Sequence, residues 1–107
     1  MALISNGKIV SKELGSVWCQ IAATKGLTAE FSYRFDKLSQ RLDSIADKIF
    51  MKTVKAHDIL TQCAQLTGRF KSELDHSHDM ALRLLTRIEG LMDRLVKDTH
   101  EFRIKAG

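Results

Sequence analysis

No proline occurs in the 107 residues, where average usage of about 5% would supply about five. Proline removes a backbone donor and clashes with the preceding helical turn, so its absence permits long helices. Long apolar runs are missing too. The longest stretch without a charge, from Leu14 to Thr24, is eleven residues, short of the roughly 18 to 20 needed to cross a bilayer. It also begins too far from a basic start to resemble a signal peptide. No membrane span is expected, and a cytoplasmic protein is the default. The chain is long enough for one domain and too short for two, which excludes a multidomain enzyme.

Cysteine is scarce. Cys19 and Cys63 have neither CxxC nor metal-ligand spacing and are expected to be small buried apolar residues in a reducing compartment. Glycine-rich phosphate loops are absent. His76 and His78 in Asp75-His-Ser-His-Asp79 lack a third or fourth ligand, so a solvated turn is the better reading. Glu73-Leu-Asp-His76 matches one half of a di-iron motif, but a second Glu-x-x-His is missing. His57-Asp58 and His100 have no nucleophile at a catalytic spacing. No catalytic residue, metal or cofactor is expected, and the chain is predicted not to be an enzyme.

What is present is helical periodicity. Asn6-Gly7 between short apolar pairs suggests a small hairpin or a flexible arm over 1–10. Ser11 is a suitable N-cap for a short helix over 11–26 carrying Leu14, Val17, Trp18, Ile21 and Ala22, closed by Gly26. Thr28 caps the next helix, whose apolar positions Phe31, Phe35, Leu38, Leu42, Ile45 and Ile49 alternate by four and three. The same register continues through Lys52, Ala56, Ile59, Cys63, Leu66 and Phe70, with Lys52 as its one charged intruder. This predicts a long heptad helix over 28–72, with a seam of about 60 Å.

The register then breaks at the polar stretch 73–79, read as a turn, and a new one runs through Leu74, Ala81, Leu84, Ile88, Leu91, Leu95 and Phe102, giving a second long helix over 80–105. A continuous helix with a four-residue stutter is the alternative. Leu82, Leu85, Met92 and Val96 widen the apolar face of the last helix beyond a two-stranded seam, which asks for more than one neighbour. The predicted fold is therefore all-α. A short N-terminal helix precedes a long and a shorter helix that form an antiparallel helical hairpin, which assembles into a coiled coil or helical bundle.

The balance of seventeen Lys and Arg against thirteen Asp and Glu gives +4, a mild bias toward anionic partners. More pointed is the "g" row Arg34, Arg41, Lys48 and Lys55, reinforced by Lys37 and Lys52. The opposite "e" positions Ser32, Ser39, Ala46 and Thr53 are small and uncharged, and a last helix folded back would bring Met80, Arg87, Arg94 and Glu101 on its own "g" positions. The row thus predicts an acidic helix of another chain as partner, with the seam from Phe31 to Ile49 supplying affinity in a homo- or hetero-oligomer. Tyr33, Phe50, Met51 and Val54 fall on the outer face, where the Trp18 helix or a partner chain should cover the last three. The expected function is a non-enzymatic subunit, adaptor or chaperone of a helical complex. The second expectation is a nucleic-acid-binding or nucleoprotein-assembly factor using the same cations on phosphate.

Overall fold

A computed structural model describes the backbone of residues 2–49 and 54–106 and the side chains of 12–45 and 56–97. It is all-helical: α1 spans Ala2–Ala22, α2 Ala29–Ile49, α3 Val54–Glu73 and α4 His78–Ala106. α1 begins well before Ser11 and passes through Asn6-Gly7, so residues 2–10 are helical where an arm or a hairpin is expected. Three-residue arms have no sheet to join, whereas continuing the helix satisfies their backbone groups at the cost of about 1 kcal/mol for a helical glycine. Two boundaries follow local chemistry. Thr28 Oγ1 accepts from Phe31 N at 3.2 Å and Ser77 Oγ accepts from Met80 N at 3.2 Å, each satisfying a first-turn donor. Gly26, after α1, has φ +88°, a conformation open to glycine at little cost.

The seam expected to run through one helix is divided. α2 ends at Ile49 and α3 starts at Val54, with Lys52 in the interval that lies outside the described residues. A straight helix would hold Phe35 and Phe70 about 52 Å apart, yet their ring centroids are 4.8 Å apart. The longest extent of the molecule is 44 Å, too short for the predicted helix. Alternation by three and four is common to a coiled-coil seam and to one wall of a multi-helix core, so the pattern did not distinguish them.

α1 lies against α2 and α3, and α4 lies against α3 and α2, so α2 and α3 meet across the core rather than side by side. α1 and α2 run in opposite directions. Ser32 Oγ donates to Ala22 O near their connection, while Gly15 approaches Leu42 farther along. α2 and α4 run in the same direction, since Arg34 meets Glu89 and Arg41 meets Asp93. α4 breaks from α3 within the polar stretch, at residues 74–77.

One apolar cluster joins all four helices. Trp18, Phe31, Phe35 and Phe70 are fully buried, with Phe31 and Phe35 edge-on to Phe70. Trp18 Nε1 donates to Thr67 Oγ1 at 2.9 Å, and Thr67 donates in turn to Cys63 O at 2.7 Å. The indole N–H is thereby satisfied in an otherwise apolar core. The wide face of α4 is covered from within the chain: Leu85 and Met92 are fully buried, and Leu82 and Val96 pack against the cluster. Among the described residues, the large apolar side chains left exposed are Tyr33 and Met80. The side chains of Phe50, Met51 and Val54 lie outside the described set, so their expected cover does too.

The two cysteines differ. Cys63 is buried as expected, but Cys19 is exposed: it follows Trp18 by one position, about 100° around α1, and so leaves the core face. Burial pushes the Cys63 thiol up to about 12 from an ordinary 9.0. In the native protein at pH 8, a thiol reagent should therefore modify one cysteine, Cys19, and reach the second only on unfolding. Rapid native modification of both would contradict this packing. The unfolded thiol ionises first, so the contribution of Cys63 is intact below pH 9 and declines as pH rises from about 9 toward about 12.

Candidate interaction surface

Five of the six seam residues expected to bind a partner sit inside the molecule. Phe31, Phe35, Leu38, Leu42 and Ile45 are all buried in the chain's own core. Ile49 is the last residue of α2, and its side chain lies outside the described residues. Among the described residues the seam offers no apolar strip to a second chain, because α1, α3 and α4 already occupy it.

Two members of the cationic row, Arg34 and Arg41, are answered from within the chain. Arg34 grips Glu89 with two donors, Nε at 2.8 Å from Oε2 and Nη2 on Oε1, and lies 3.7 Å from Glu30. Its guanidinium pKa is raised, first by the hydrogen bond to Glu89, against the opposing effect of burial. Arg41 Nη2 reaches Asp93 at 2.6 Å. Lys37 Nζ lies 5.4 Å from the centre of the Tyr33 ring, a weak cation–π contact at an exposed site. The side chains of Lys48 and Lys55, and all of Lys52, lie outside the described residues. With residues 28–72 read as one helix, a last helix folded back at 73–79 runs antiparallel to the row and offers it no row of acids. With the break between Ile49 and Val54, α4 instead runs parallel to α2 and turns Glu89 and Asp93 toward it.

A different row is left over. Arg83, Arg87, Arg94 and Lys97 on α4 are all exposed, and with Gly90 they alternate by four and three along one helix face. The ion pairs among the described residues join Arg34 to Glu30 and Glu89 and Arg41 to Asp93, so this row has none. An added Cβ on Gly90 would meet nothing within 4 Å, leaving its centre low and open. The spacing is visible in the sequence, where the heptad register places Arg87 and Arg94 on the flank of a seam.

Other places in the molecule are less pointed. A shallow groove of about 380 Å³ between α1 and α2 is lined by Lys12, Cys19, Asp36 and Asp43 among others, and one of about 360 Å³ between α1 and α3 passes Val17, Ala64 and Gly68. His76 Nδ1 is 2.9 Å from Ser72 O, and His78 stacks on Phe31 at 5.1 Å, so the two histidines do not converge. Among the described residues, no three His, Cys, Asp or Glu side chains are grouped to hold a metal ion, and no helix is long and apolar enough to cross a membrane. No protein-family model, curated protein or solved structure matches the chain, so no family likeness bears on these surfaces.

Proposed function

We propose that the protein is a non-enzymatic interaction module of the helical-bundle type, a subunit or adaptor that binds a negatively charged partner through the outer face of α4. The observation that carries this is the exposed row Arg83, Arg87, Arg94 and Lys97, which has no acid paired to it among the described residues. Like charges three and four residues apart cost a helix a few tenths of a kcal/mol per pair. The fold gains nothing from such a row, whereas an anionic partner would offset its repulsion. The apolar seam supplies the fold, and recognition passes to the surface. A cytoplasmic setting accords with free cysteines, one of them exposed.

Charge reversal on α4 tests the proposal. The wild-type protein should be retained on a sulfated polysaccharide matrix at physiological salt, and an Arg87→Glu, Arg94→Glu variant should pass through with its helical content intact. Failure of the wild type to bind, or elution of both proteins at the same salt, would sink it.

A further inference from the structure

Resting on that reading, we infer that the α4 face docks on the phosphate backbone of double-stranded DNA, without reading its sequence. Three of its four cations are arginines, whose planar forks engage phosphate oxygens in pairs. From Arg83 to Lys97 the row rises about 21 Å. Each strand winds around the duplex as its phosphates advance about 3.4 Å along the axis, so a straight row of this length reaches only a few of them, in keeping with one contact per cation. Gly90 at its centre leaves the helix backbone low where a phosphate ridge would pass.

The same face lacks what other anionic partners need. The core of a protein interface is depleted in charge and anchored by apolar or aromatic side chains. Within this row the side chains are charged or absent, and the exposed Met80 lies on the same face one turn before Arg83, at the turn end of α4. Single strands bind through stacking on aromatic side chains. The exposed aromatic among the described residues is Tyr33, carried on α2. The wide major groove of B-DNA admits a helix, whereas that of A-form RNA is deep and narrow.

The test is fluorescence anisotropy with a labelled 20-base-pair DNA of mixed sequence, repeated across salt concentrations. Four phosphate contacts predict a slope of log K against log salt of about −3.6, and each of Arg83→Ala, Arg87→Ala and Arg94→Ala should flatten it by about 0.9. Lys12→Ala, on a helix with no extensive contact to α4, should leave it unchanged, and an unrelated duplex should bind within about twofold. A slope insensitive to the α4 variants overturns the inference, as does tighter binding of the single strand. Equal or tighter binding of double-stranded RNA overturns the choice of DNA. Displacement of the duplex by polyglutamate at equal charge concentration would assign the face to an acidic protein segment. Retention on the sulfated matrix without duplex binding defeats this inference and leaves the polyanion reading standing, while loss of both removes both.

Discussion

Trp18→Ala should lower the stability of the folded chain by about 3–5 kcal/mol, the usual cost of truncating a buried aromatic. The side chain is fully buried and ties α1 to α3 through the 2.9 Å bond to Thr67. Its removal therefore loses apolar area and leaves a cavity between two helices. A domain of this size has about 5–15 kcal/mol in all, so the variant should lie near the threshold of folding. Urea unfolding followed by far-ultraviolet circular dichroism measures it without relying on the lost fluorophore. Thr67→Val separates the polar part. It keeps the volume but strands the indole N–H, at about 1–3 kcal/mol. A loss below 1 kcal/mol for Trp18→Ala would mean that α1 is not docked as described.

Phe70→Ala should cost a similar ~3–5 kcal/mol, and its value lies in what it couples to. Phe70 on α3 meets Phe31 at 5.3 Å and Phe35 at 4.8 Å, both on α2. A double-mutant cycle of Phe35→Ala with Phe70→Ala should show a coupling of about 0.5–1.5 kcal/mol, as aromatic pairs do. If residues 28–72 formed one straight helix, the rings would be about 52 Å apart and the cycle would close with no coupling. The thermal midpoints of the four proteins give a second measure of the same quantity.

Much of this arrangement was legible in the residues. Leu82, Leu85, Met92 and Val96 made the face of α4 too wide for one neighbour, and α4 indeed packs against two helices. Thr28 and Gly26 marked the first connection, and the polar run around Asp75 marked the last. The separation of α2 from α3 carries no such marker beyond Lys52, a charge in the seam where an apolar residue belongs. Neither proline nor glycine accompanies it, and three-four periodicity carries across a reversal whenever both helices face the same core. That one missed break also hid the candidate site. It decides which way α4 runs, hence whether Glu89 and Asp93 or Arg87 and Arg94 meet the cations of α2.

The shared direction of α2 and α4 has a bearing on how the chain comes together. The bonds that join α1 to α3 and α2 to α4 link residues at nearly constant offsets: 49 for Trp18 with Thr67, 55 for Arg34 with Glu89 and 52 for Arg41 with Asp93. Closing a loop of about fifty residues costs about 3.5 kcal/mol of chain entropy beyond a constant. Because the offsets agree, that cost is incurred once, and a single docking of one half of the chain on the other brings every such pair into register. Neither half can bury its aromatics alone, so folding of the halves and their docking are bound into one cooperative event.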